Sequence, residues 1–234
     1  MKALVTGASR GLGLGICAVM ARRGDEVFAA CRKTTPELSA LGVRVVEGID
    51  IGEVAATERL RSAIGKEAID VVVCNAGINV SYTFGSIDKL DLDAVLEELR
   101  VNTVGSARTV QAVLPNLASG SKVILITTSG GTLGRNPLRG GSYGYRMSKS
   151  GINTFGFLLA TELRPRGIAV RMISPGPVNT DMLRDLAAVG VPTAIPASQS
   201  PSIYAAGQTV LGQIDELTLE ASGSWIDQTG KAWA

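Results

Sequence analysis

There is no histidine among the 234 residues of the chain. That absence excludes Ser-His-Asp hydrolysis, Cys-His thiol catalysis and His-ligated zinc, and it leaves acid/base work to Tyr, Lys, Asp, Glu or Cys. Aromatic residues make up only 4%, too few for a base-stacking surface. Cysteine is scarce and odd in number: Cys17, Cys31 and Cys74 lie far apart with no C-x-x-C pair, so neither a disulfide framework nor a zinc cluster is indicated and no metal is expected. Partly buried thiols in a reducing compartment fit this usage. No apolar run approaches the ~18 residues of a membrane span, and the run Ala3-Leu4-Val5 before Thr6-Gly7 is too short for a secretory signal. The expectation is a cytoplasmic protein with no membrane partner. Neither sign of charge dominates: 23 Lys and Arg oppose 21 Asp and Glu, for a net +2. No basic stripe accompanies that balance, so nucleic acid is not an expected partner.

What is present is a core. Hydrophobic residues are 45% of the chain and charged residues 19%, and the length suits one domain over residues 1–234. Short β-branched runs at 2–5, 26–30, 43–47, 69–74, 122–128, 168–173 and 224–227 alternate with helical patterns at 12–23, 37–41, 54–64, 92–114 and 148–163. Such alternation predicts an α/β fold: a Rossmann-type, doubly wound parallel sheet of about seven strands with helices on both faces. Two segments break the rhythm. Residues 129–144 hold six glycines, and residues 185–202 carry Pro192, Pro196 and Pro201. Both follow strands at the carboxyl side, where open α/β sheets bind ligands. The stretch 183–202 reads as a short substrate lid.

The first strand runs into Thr6-Gly7-Ala8-Ser9-Arg10-Gly11-Leu12-Gly13, and a helix follows. A pyrophosphate must approach the backbone N–H groups at a helix N-terminus closely, and side chains at Gly7, Gly11 and Gly13 would obstruct it. The spacing G-x-x-x-G-x-G differs from the general G-x-G-x-x-G fingerprint, and a plain strand–helix turn is the competing explanation. Gly7, Ser9, Arg10, Gly11, Leu12 and Gly13 are the expected cofactor contacts of this turn. After the second strand stand Cys31-Arg32-Lys33, without the acidic residue that usually holds the ribose hydroxyls of NAD. Arg10 and Arg32 suit a 2′-phosphate instead, which favours NADP(H).

Tyr145 and Lys149 are four residues apart, one helical turn on one face. A free phenol with a pKa near ~10 is a sluggish acid/base at neutral pH, and a nearby ammonium is expected to lower that value. Alone, such a pair is as readily a surface contact. It stands, however, in an ordered set: the glycine turn, Cys74-Asn75-Ala76-Gly77 after the fourth strand, Asn102 in the long helical pattern, Ser129 after the fifth strand, Tyr145-x-x-x-Lys149, and Ser174-Pro175-Gly176-Pro177-Val178-Asn179-Thr180 after the sixth.

Taken together this resembles the short-chain dehydrogenase/reductase family over essentially the whole chain. The run Tyr145-Arg146-Met147-Ser148-Lys149 and the tail Gly223-Ser224-Trp225-Ile226-Asp227 are similar to the subgroup of sniffer-type carbonyl reductases and C-factor. The resemblance implies that Tyr145 exchanges a proton with the substrate oxygen, that Lys149 lowers the pKa of that phenol and bonds the nicotinamide ribose, and that Ser129 bonds the carbonyl. Thr132 falls at the family's commoner interval before the tyrosine; Ser129 directly follows the strand and is preferred. Asn102 would bind a relay water, or else cap or kink its helix. Asp50 and Ile51 would contact adenine, Asn75, Ala76 and Gly77 the adenosine side, and Pro175, Gly176, Val178 and Thr180 the nicotinamide amide. The implied activity is NADPH-dependent reduction of a small-molecule aldehyde, ketone or keto-acyl substrate, or the reverse oxidation, in a homodimer or homotetramer. The alternatives are a relative acting without net redox, such as an epimerase or dehydratase, and a nucleotide-sensing signalling protein of C-factor type.

Overall fold

A computed structural model of the protein describes residues 1–81, 87–131, 142–190 and 195–233. Among the described residues seven strands are present: β1 (Lys2–Thr6), β2 (Glu26–Ala30), β3 (Arg44–Val46), β4 (Val71–Cys74), β5 (Lys122–Ile126), β6 (Ala169–Ser174) and β7 (Ser224–Asp227). They pair in parallel in the order β3-β2-β1-β4-β5-β6-β7. The order reverses between β1 and β4, and the crevice beyond their carboxyl ends is where such a sheet binds ligands.

Alternate residues of each strand enter opposite cores, as the period of two requires. Ala3, Val5, Val71, Val73, Ile124 and Ile126 pack with α1 (Gly11–Arg23) and α8 (Ile203–Asp215). Leu4, Val72, Val123 and Leu125 pack on the other face with α3 (Ala55–Ile64), α5 (Gly105–Val113) and α6 (Tyr143–Leu163). Both faces of the sheet are thus covered, and this is why β4 and β5 read as unbroken apolar runs. A short helix α2 (Pro36–Ser39), capped by Thr35, precedes β3.

Four features depart from the sequence reading. The pattern at 92–114 is not one regular helix: α4 (Leu92–Glu98), capped by Asp91, passes into a π-helical turn (Leu99–Val104) before α5. Helix α6 begins at Tyr143 and not at 148, so Tyr145 and Lys149 both sit inside it. The stretch 183–202 is largely ordered as α7 (Asp181–Ala188), a 3₁₀ turn (Ala197–Gln199) and the approach to α8, with residues 191–194 outside the described residues. Helix α8 was not expected from the sequence. Among the described residues no helix is long and apolar enough to cross a membrane.

Candidate active site

The carboxyl ends of β1 and β4 are tied together by Thr6 and Asn75. Thr6 Oγ1 accepts hydrogen bonds from the N–H groups of Asn75 (3.1 Å) and Ala76 (3.2 Å), and Asn75 Nδ2 donates to the Thr6 carbonyl at 2.9 Å. Gly7 has φ +67°, and a Cβ there would stand 2.8 Å from Ala76 Cα. A Cβ on Gly13 would overlap the Gly7 carbonyl and lie 2.5 Å from Asn75 Nδ2. Asn75 and Ala76 therefore act here by shaping the glycine turn. The turn opens onto α1, whose first turn holds no acidic residue and whose N-terminus has no side-chain cap. Backbone N–H groups and the positive end of the helix dipole are what an anion needs there.

Arg10 is largely exposed and reaches Asp181 at 3.6 Å, and Arg32 is exposed at the end of β2. No carboxylate follows β2 within the next four residues. The donor set fits a phosphorylated dinucleotide: a side-chain-free cradle at a helix N-terminus, with Arg10 in the turn itself and Arg32 just beyond β2. Ser9 gives its carbonyl to Thr35 Oγ1 at 3.0 Å, and Leu12 is buried. Asp50 Oδ1 accepts from Gly52 N at 2.9 Å, and Ile51 packs against Gly105. The turn after β6 comes to the same place. Pro175 and Gly176 lead from the strand, Val178 is buried, and Thr180 caps α7 and would contact a Cβ on Gly11 at 3.3 Å.

Across the crevice, Asn102, Ser129, Tyr145 and Lys149 come from four different elements or turns of them. Asn102 is fully buried in the π turn; its Oδ1 accepts from Ile78 N and its Nδ2 donates to Ile78 O, both at 2.8 Å, and to Ser148 Oγ at 2.9 Å. A Cβ on Gly77 would stand 3.1 Å from Asn102 Oδ1 and 3.5 Å from Lys149 Nζ, so the loop after β4 packs closely on both side chains. π turns place a side chain where an α-helix would not, and they gather at functional sites. Ser129 begins a 3₁₀ turn (Ser129–Gly131) and its N–H donates to Ser174 Oγ at 3.0 Å. Thr132 lies outside the described residues.

Lys149 Nζ lies 5.7 Å from the centre of the Tyr145 ring and donates to the Ile126 carbonyl at 2.9 Å. Burial lowers the Lys149 ammonium to about 8, partly opposed by Cys74. Burial also raises the Tyr145 phenol to about 12, and the charge of Glu98 adds to the rise. The expected lowering of the Tyr145 pKa is therefore corrected. In the protein alone, desolvation and the Glu98 charge act in the same direction on Tyr145, and the shifts of both groups favour the neutral pair over phenolate and ammonium.

Sequence reasoning passed over Glu98, Ser148 and Thr6. The signal for Glu98 was present: with Val95 and Val101 it recurs every three residues on the buried stripe, an acidic residue where an apolar one belongs.

A family model described as short chain dehydrogenase matches residues 1–189. The chain belongs to the short-chain dehydrogenase family. It is an enzyme of the dehydrogenase/reductase type. Among short-chain dehydrogenases it is 34% identical over 232 residues to the 1-hydroxy-2-glutathionyl-2-methyl-3-butene dehydrogenase of Rhodococcus sp. (strain AD45), covering 97% of this chain and 96% of that protein. Its fold is that of carbonyl reductase Sniffer of D. melanogaster, with a TM-score of 0.83 at 24% identity over 100% of this chain and 98% of that one. A short-chain dehydrogenase from Burkholderia cenocepacia J2315, solved in complex with NADP, superposes with a TM-score of 0.77 at 27% identity over 96% of this chain and 94% of that one.

Proposed function

We propose that the protein is an NADP(H)-dependent reductase of carbonyl compounds, with Tyr145 as the proton donor. The observation that carries this reading is the convergence of Asn102, Tyr145 and Lys149 beside the glycine turn at the carboxyl ends of the central strands. The NADP complex of the Burkholderia relative supports the cofactor, and so do Arg10 and Arg32. The reduced nicotinamide, when bound, supplies the hydride that the carbonyl carbon takes.

The chain's own residues do the rest. Gly7, Gly11 and Gly13 leave room for phosphate, and Arg10 and Arg32 hold the 2′-phosphate. Pro175, Gly176, Val178 and Thr180 line the nicotinamide side, and Asp50 and Ile51 the adenine side. Ser129 donates to the substrate oxygen and steadies its developing negative charge. Tyr145, protonated at neutral pH, completes reduction by giving its hydroxyl proton to that oxygen; the product is an alcohol and the phenolate is left. Lys149 then returns a proton to Tyr145, and an amine with a pKa near 8 does so readily at neutral pH. Asn102 positions both through Ile78 and Ser148.

The protein is further proposed to work as a homodimer or homotetramer. Leu92, Leu96, Met147, Phe157 and Leu158 stand exposed on α4 and α6, more apolar surface than a free helix pair keeps in water. A panel of aldehydes, ketones, quinones and β-ketoacyl thioesters, followed by loss of nicotinamide absorbance, tests the activity. Consumption of NADPH with at least one class is the expected result; no consumption with any class contradicts it.

A further inference from the structure

Glu98 is the one carboxylate with no exposure among the described residues, and the mechanism above does not use it. Oε1 accepts from Val80 N at 2.6 Å and Ser81 N at 2.9 Å, and Oε2 accepts from Ser81 Oγ at 2.6 Å. Three donors on two oxygens suit an ionised carboxylate, which only accepts. On its other side the carboxylate meets the first turn of α6. A Cβ on Gly144 would overlap Glu98 Oε2 and stand 2.8 Å from Val95 Cα. Only a glycine lets the backbone beside Tyr145 come this close to the charge.

We propose that Glu98 is a positioning residue for Tyr145: its buried carboxylate holds the loop after β4, packs against the first turn of α6 and sets a negative charge beside the tyrosine, so that the hydroxyl keeps its proton more tightly than it would in neutral surroundings. The inference rests on the acid/base role proposed for Tyr145. Reduction of a carbonyl needs the phenol; oxidation of an alcohol needs the phenolate. A fixed negative charge in a water-poor site disfavours the phenolate, in line with the rise found for Tyr145.

The other charged groups on the elements packed around Tyr145 are paired, at least partly exposed or, for Lys149, on the opposite side of the balance as a cation. On α4, Asp93 is exposed and Glu97 is held by Arg100, which also reaches Glu53. On β6, Arg171 donates to the Gln213 carbonyl and Ser224. The 3₁₀ turn at Ser129–Gly131 carries no titratable group. On α6 itself Lys149 donates to the Ile126 carbonyl, and Arg146 is half-buried.

The test is an NMR pH titration of ring-labelled tyrosine, assigned by the loss of one signal in Y145F. Glu98→Gln keeps an acceptor for Val80 and Ser81 and offers an N–H to Ser81 Oγ, while it removes the charge. In the parent protein the Tyr145 signal is expected to stay fixed up to about pH 11, a unit above a free phenol. In E98Q it is expected to titrate roughly one pH unit or more lower. Ser81→Ala, which loosens the clamp and keeps the charge, is expected not to lower the midpoint. An unmoved midpoint in E98Q overturns the inference, and so does a drop in S81A equal to that in E98Q. If the E98Q signal moves while the pH profile of carbonyl reduction does not, the charge effect stands and the acid/base role of Tyr145 falls instead.

Discussion

At the scale of single residues, Tyr145 and Lys149 show how burial disfavours a charge. The Lys149 ammonium is pushed from 10.5 to about 8, so the unfolded chain binds more protons than the folded one between those values, and stability rises with pH across that window. The cost of burying the charge is fully present below about pH 8. Lys149→Met removes it. The stability gained by K149M over the parent, measured by urea unfolding, is expected to shrink by about 2 kcal/mol between about pH 7 and about pH 9.5; a constant gap contradicts a depressed lysine. The arginines make a second residue-scale prediction. Fluorescence titration should show NADPH binding more tightly than NADH, and the double variant R10A/R32A should lose roughly tenfold or more of that preference, the worth of one or two charge-assisted bonds. Equal affinities in the parent remove the role given to both arginines.

At the scale of elements, the least visible contact is the one between α1 and α8. A Cβ on Gly207 would stand 2.7 Å from the carbonyl carbon of Gly15, and one on Gly15 would overlap the Ile203 carbonyl. Gly207→Ala is expected to destabilise the fold by about 2 kcal/mol through overpacking, read as a lower urea midpoint; an unchanged midpoint contradicts so close an approach. That helix illustrates what sequence hides. Strands β1 to β7 were legible because β-branched runs between turn residues have few other readings. Helix α8 was not, because Gly207 and Gly212 interrupt its apolar pattern and Pro196 and Pro201 precede it, and glycine and proline are also loop residues. The long pattern at 92–114 could be read as helix but not as a helix with a π turn, because the extra residue at Asn102 is held by Ile78 and Ser148, partners distant in sequence. In the site, Tyr145, Lys149 and the glycine turn were legible by spacing. The direction of the phenol shift was not, since it depends on how far three elements exclude water from one hydroxyl.

At the scale of the whole molecule, the sheet delivers the glycine turn, the loop after β4 and the start of α6 to one edge. The opposite ends of β5 and β6 are tied to the C-terminal end of α8 by Lys122, which donates to the Ile214 carbonyl at 2.6 Å, and by Arg171, which donates to the Gln213 carbonyl at 2.7 Å. Cations there complement the negative end of the helix dipole. One face of α4 and α6 keeps large apolar side chains in solvent, with Leu158 at 66% and Leu96 at 62% exposure. Sedimentation should find the parent as a dimer or tetramer, and the double variant Leu96→Glu with Leu158→Glu should dissociate without loss of its circular dichroism. A monomeric parent contradicts the assembly.

In the proposed reaction the Tyr145 hydroxyl, and no other group, gives the proton that completes carbonyl reduction. Comparing Y145F with the parent for NADPH affinity and for turnover of one accepted carbonyl substrate tests it most directly. Affinity within about twofold of the parent is expected, with turnover reduced by at least about a hundredfold, the usual weight of a positioned general acid. Y145F turning over at the parent's rate would contradict it.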